Sequence, residues 1–144
     1  MKVLVQRSKE SNVKVNGKVV GGINKGLVLF VGFTYNDNEA IIDKMINKIL
    51  KLRIFDDEAG VMNKSVLDVG GEILSISQFT LYANTEKGNR PSYTQALKSD
   101  EAIKLYDLFN QKLKEYIKVE CGIFGADMKV NILNDGPITI MLEI

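Results

Sequence analysis

An α/β fold of two packed β-sheets, barrel-like and with two main helices on the outside, is what this sequence predicts, with residues 1–144 as one domain. Three observations lead there. Short apolar or alternating runs recur along the chain, two segments carry apolar residues at helical spacing, and no repeat, low-complexity tract or linker interrupts them. The length of 144 residues suits a single core, and 45% hydrophobic with 26% charged residues is an ordinary globular balance.

The elements follow in order. KVLVQR (2–7) alternates apolar and polar positions and reads as a strand. NVKV (12–15) and KVVGGI (18–23) flank Asn16-Gly17, a pair that tolerates the positive φ of a type I′ hairpin turn. GLVLFVGF (26–33) is apolar throughout, so its strand is expected to be buried on both faces. Asp37 is the expected cap of a helix whose apolar stripe is Ile41, Ile42, Met45, Ile46, Ile49 and Leu50, with Lys44, Lys48 and Lys51 on the solvated side. RIFDDEAGVMNKS (53–65) is turn-rich, with short strands around Gly60, and GGEILSISQFTLYA (70–83) is the next strong strand. After a polar loop (83–96), Ser99 is expected to cap a second helix with Ala102, Tyr106, Phe109, Leu113 and Tyr116 inward. Two last strands, DMKVNIL (127–133) and PITIMLEI (137–144), are separated by Asn-Asp-Gly.

Composition narrows the chemistry. A net charge of +1 argues against a broad footprint on nucleic acid and leaves only local basic patches for RNA. No apolar run reaches the roughly 18 residues of a membrane span, and the first ten residues lack a signal-peptide core, so a soluble cytoplasmic protein is expected. The single cysteine, Cys121, fits a reducing compartment. There is no histidine. Ser-His and Cys-His nucleophile pairs are therefore excluded, as are imidazole-dependent metal sites, and neither a metal nor another cofactor is expected.

Three stretches can carry chemistry. SQFT (77–80) ends an apolar strand with Ser77, Gln78 and Thr80 in four positions, either to satisfy a neighbouring loop or to line a site. Alternation would put Ser77 and Phe79 on one face and Gln78 and Thr80 on the other. NDGPIT (134–139) contains Gly136-Pro137, an X-Pro bond that is either an ordinary trans turn or a cis bond exposing carbonyls. CGIFGADM (121–128) offers Phe124 and Met128 as core or as pocket lining.

SQFTLYA, KGNRPS (87–92), FGADM (124–128) and NDGPIT, in this order and spacing, resemble the D-aminoacyl-tRNA deacylase family, also called D-tyrosyl-tRNA deacylase. The resemblance runs from VQR (5–7) through LRIF (52–55) and LDVGGE (67–72) to the C-terminal strand. Cys121 and Ile123 stand where Thr and Arg are familiar, and Tyr93 where Phe is common. The resemblance implies that family's fold, and hydrolysis of the ester joining a D-amino acid, or mischarged glycine, to the 3′-terminal adenosine of tRNA. It further implies a homodimer with active sites at the interface. Gln78, Phe79 and Thr80 become catalytic candidates, and Ser77, Phe124, Met128, Gly136 and Pro137 substrate-binding ones. A cis Gly136-Pro137 would enter the partner's pocket as a chirality filter, with Arg7 either fixing that segment or lying on the surface. Lys87 and Arg90 are expected either to touch the tRNA backbone or simply to be solvated.

Two mechanisms survive without histidine: attack by the Thr80 hydroxyl, or water activated by the substrate's ribose 2′-hydroxyl with backbone N–H groups near Phe79 and Thr80 holding the oxyanion. The second is preferred, because no base stands near Thr80 in the sequence. The rival expectation is a non-catalytic module that shelters the tRNA acceptor end.

Overall fold

The computed structural model describes all of residues 1–144. β1 (Lys2–Val15) joins KVLVQR and NVKV into one strand that runs through irregular pairing at Ser8–Ser11. β2 (Lys18–Ile23) returns antiparallel across Asn16-Gly17, whose φ angles of 49° and 76° match the anticipated turn. β3 (Gly26–Gly32) pairs with the first half of β1 and is buried on both faces but for Phe30, as its unbroken apolar run predicts.

α1 (Glu39–Leu50) buries Ile42, Met45, Ile46, Ile49 and Leu50. Its cap is Asn38, not Asp37: the Asn38 side chain accepts the N–H of Ile41 at 3.2 Å. Asp37 is drawn away because the buried Met1 ammonium needs a counter-charge, which it supplies at 2.8 Å. β4 (Phe55–Asp56) and β5 (Met62–Lys64) form the small hairpin expected around Gly60.

β6 (Glu72–Ser77) pairs parallel with β3, and β7 (Val119–Cys121) parallel with β6 after α2 (Ser99–Leu113). Here three expectations change. The strand ends at Ser77, and Phe79–Tyr82 form a 3-10 turn, because β3 stops at Gly32 and offers no further ladder; Leu81 and Ala83 donate instead to the carbonyls of Gln78 and Thr80. Ser99 is the first helical residue of α2, and Lys98 before it makes no side-chain cap. Tyr116 is 60% exposed, since the helix ends at Leu113, and Asn110 takes a buried place on the inner face.

β8 (Met128–Glu143) is one strand, not two. It stays paired with β1 on both sides of Asn-Asp-Gly: Ser8 lies opposite Asn134 and Gln6 opposite Thr139, so the turn is extra chain pushed out of a continuing ladder.

The six-stranded sheet runs β2-β1-β3-β6-β7, with β8 on the other edge of β1, and curls into a nearly closed barrel. Closure depends on Gly21 of β2, where a β-carbon would lie 2.8 Å from the carbonyl oxygen of Cys121 in β7. Val13, Ile23, Val28, Leu74 and Ile76 fill one face. The opposite face, with Val3, Val5, Leu27, Leu29, Val31 and Ile73, packs under the two helices, and Phe109 of α2 is fully buried there. Phe109→Ala should lower unfolding stability by about 3–5 kcal/mol, measured by denaturant titration, because a rigid interior collapses only partly around the lost ring.

Candidate active site

The parallel pairing of β3 and β6 brings the carboxyl ends of both strands together, the usual place for a crevice in such sheets. A cleft of about 560 Å³ opens there. It is lined by Ser77, Gln78 and Phe79, by Phe124 and Met128, and by Ser99 and Ala102 from the first turn of α2. Five candidate residues from two separate stretches of the chain thus meet in one cavity.

Thr80, Gly136, Pro137, Lys87 and Arg90 are not among its lining residues. Thr80 lies one step behind the wall, where its hydroxyl accepts a hydrogen bond from the Gln78 side-chain amide. Because SQFT leaves strand geometry, the alternation expected for it fails: Ser77, Gln78 and Phe79 all reach the same cleft. Phe79 and Thr80 open the 3-10 turn, so their N–H groups have no acceptor within it. Gly136 and Pro137 are exposed and joined by a cis peptide bond.

Buried Arg7 spans two segments, donating to the carbonyl of Ile54 at 2.9 Å and to that of Asp135 at 3.3 Å. It also faces the Asp135 carboxylate at 3.2 Å and that of Asp56 at 3.4 Å. Of the two roles open to it, the structure bears out the one that fixes the Asn-Asp-Gly-Pro segment.

The cleft is chiefly apolar, and no lysine or arginine lines it. Asp127 is its only carboxylate, exposed and held at 3.0 Å by Lys129, so no carboxylate pair is available for acid–base work. Tyr106 packs against Phe124 with ring centroids 5.8 Å apart and donates its hydroxyl to the carbonyl of Ser75 at 2.8 Å. Burial pushes the Tyr106 phenol up to about 12, so it stays neutral and serves as a prop. Burial likewise raises the thiol of Cys121, which disfavours a thiolate nucleophile.

Sequence reasoning missed Val31, Gly32 and Phe33 at the end of β3, and Ala96 and Leu97 before α2. The available signal was the order strand–helix–strand between two apolar runs, which implies parallel pairing and shared carboxyl ends. Tyr93, noted only as a departure from the family pattern, also lines the cleft, edge-on to Phe79 with ring centroids 5.1 Å apart.

The chain matches the D-Tyr-tRNA(Tyr) deacylase family over residues 4–143. A solved structure described as c-Myc DNA Unwinding Element Binding Protein is 39% identical and superposes with a TM-score of 0.95, covering 100% of this chain and 99% of that one. A second, described as a probable eukaryotic D-amino acid tRNA deacylase, is 19% identical with a TM-score of 0.85, covers 99% and 98% of the two chains, and shares the fold. With a family match over nearly its whole length and a fold to accord with it, this chain belongs to the D-Tyr-tRNA(Tyr) deacylase family and is a hydrolase of D-aminoacyl-tRNA.

Proposed function

We propose that the cleft at the ends of β3 and β6 is where the ester of D-aminoacyl-tRNA is cleaved, and that glycine mischarged on tRNA is released by the same route. The observation that carries this reading is the convergence of Ser77–Phe79 with Phe124 and Met128 around a neutral, mainly apolar cavity. Such a lining suits an uncharged nucleoside with its amino acid and leaves the phosphates outside. Phe124, propped by Tyr106, and Met128 provide the surface for the adenine.

Water is the nucleophile. The ribose 2′-hydroxyl helps activate it, and the N–H groups of Phe79 and Thr80 hold the developing oxyanion. Each such donor contributes roughly 3 kcal/mol in a preorganised site. The Gln78 amide donates to the Thr80 hydroxyl and has no basicity with which to activate it. That contact, behind the cleft wall, supports Thr80 as a support for Gln78 rather than a nucleophile.

The working unit is a homodimer of one-domain subunits in the cytoplasm. Gly136 and Pro137 are exposed and do not line the cleft of their own chain, which favours their entry into that of a second copy. Leu133 and Met141, 57% and 47% exposed on the same strand, supply apolar surface for that contact. The test is release of free D-amino acid from D-aminoacyl-tRNA by the purified protein, with D-aminoacyl esters lacking ribose as the contrast. Equal turnover of both would make it a general esterase and overturn the reading.

Lys87 and Arg90 lie in an exposed loop closed at its base by paired backbone bonds of 2.8 Å between Asn84 and Ser92. We assign them to the tRNA backbone. Replacing both with alanine should lower the slope of log affinity against log salt by about 2, because two fewer phosphates lose counterions. Filter binding across a salt series checks this, and an unchanged slope would leave them as solvated charges.

A further inference from the structure

The aromatic pair at the cleft mouth is not explained by an aminoacyl-adenosine alone. Phe79 is 56% and Tyr93 40% exposed, yet both line the cavity and brace each other at an interplanar angle of 68°. An edge-on pair leaves a ring face free, whereas a parallel stack would cover one face of each ring. The position of this pair in the chain is also specific. Tyr93 follows directly on the Asn84–Ser92 bridge, which anchors the loop bearing Lys87 and Arg90, and Lys98 stands exposed before α2.

We propose that Tyr93, braced by Phe79, stacks on the penultimate nucleobase of the tRNA acceptor end. The inference rests on the reading of the cleft as the aminoacyl-adenosine site. A neutral cavity holds the terminal nucleoside, so the phosphate that links it to the next nucleotide must leave through the mouth. There it meets the flank that carries Lys87, Arg90 and Lys98, and the attached base meets the exposed rings. Aromatic platforms of this kind hold single-stranded bases without reading their sequence. The pair therefore separates tRNA from smaller esters by one extra stacked base.

The test compares full-length D-aminoacyl-tRNA with 3′-O-(D-aminoacyl)adenosine, which lacks the penultimate nucleotide. Tyr93→Ala should lower kcat/KM on the tRNA roughly tenfold more than on the adenosine ester, the size of one base–aromatic stack, and through KM rather than kcat. Tyr93→Phe keeps the ring and should behave like the parent, whereas Tyr93→Leu keeps the bulk without a π face and should behave like the alanine variant. Equal losses on both substrates would overturn the proposal by making the ring a contact of the amino acid or of the cleft wall. A change in oligomeric state, read by light scattering, would overturn it by making the ring a contact between copies. If the unmodified protein cleaves neither substrate, the reading of the cleft fails and the stacking with it; cleavage of both without a differential loss removes the stacking alone.

Discussion

A D-aminoacyl-tRNA ending in 2′-deoxyadenosine should be hydrolysed at least ~100-fold more slowly than the natural substrate, which corresponds to about 2.7 kcal/mol of barrier. The reason is the poverty of the cleft in proton-transfer groups. The chain has no histidine, and the cleft has only Asp127 as a carboxylate, exposed and ion-paired. The nearest amide, Gln78, is a donor to Thr80. The proton relay must then come from the substrate: the 2′-hydroxyl next to the ester takes a proton from the attacking water as it gives its own to the leaving 3′-oxygen, so the new C–O bond forms as the ester C–O bond breaks. Single-turnover kinetics on matched substrates measure the effect. Normal turnover of the deoxy substrate would return the task to the protein. Thr80→Ala is the companion variant: the backbone N–H at position 80 survives the change, so deacylation should persist within about tenfold of the parent. A trapped aminoacyl ester on Thr80 would refute the water mechanism.

Gly136→Ala should weaken the preference for D- over L-aminoacyl-tRNA by ~100-fold, chiefly by admitting the L substrate. Gly136 has φ of +119°, and a β-carbon there would stand 2.8 Å from Cγ1 and 3.0 Å from the backbone nitrogen of Ile138. The turn must move to accept it, and backbone strain of this kind costs about 1–3 kcal/mol. A filter built from main chain depends on position alone. In the filter we propose for Gly136-Pro137, carbonyls that hold the substrate ammonium would leave an L side chain facing protein, while a D side chain would point outward and glycine would have nothing to reject. Displacement of the turn loosens that geometry without removing any side chain from the cleft of its own chain. Parallel assays on L- and D-tyrosyl-tRNA, with a check of oligomeric state, decide the matter. A variant that spares L-aminoacyl-tRNA as well as the parent would remove the Gly-Pro segment from the filter, as would full activity in a monomer.

Local chemistry made much of this protein legible in the sequence. The Asn16-Gly17 turn, the doubly buried β3, the apolar stripe of α1 and the short strands around Gly60 each follow from a few neighbouring residues, because turn preference and periodicity act over short range. Family motifs bring Ser77–Thr80, Phe124 and Met128 forward as candidates, and the absence of histidine by itself bounds the chemistry.

What only the tertiary structure decided is where ladders end and which distant segments meet. The SQFT strand stops at Ser77 because its partner β3 stops at Gly32, and a residue's own periodicity cannot report the length of its neighbour. Asp37 is taken from its helix by the Met1 ammonium, 36 residues away, and Asn134-Asp135-Gly136 interrupts no strand because β1 pairs across it. Arg7 reaches both Ile54 and Asp135, and Tyr93 reaches Phe79 at the cleft mouth. Ion pairs, ladder ends and cavity walls depend on separation in space, and chain order carries that only after the fold has closed.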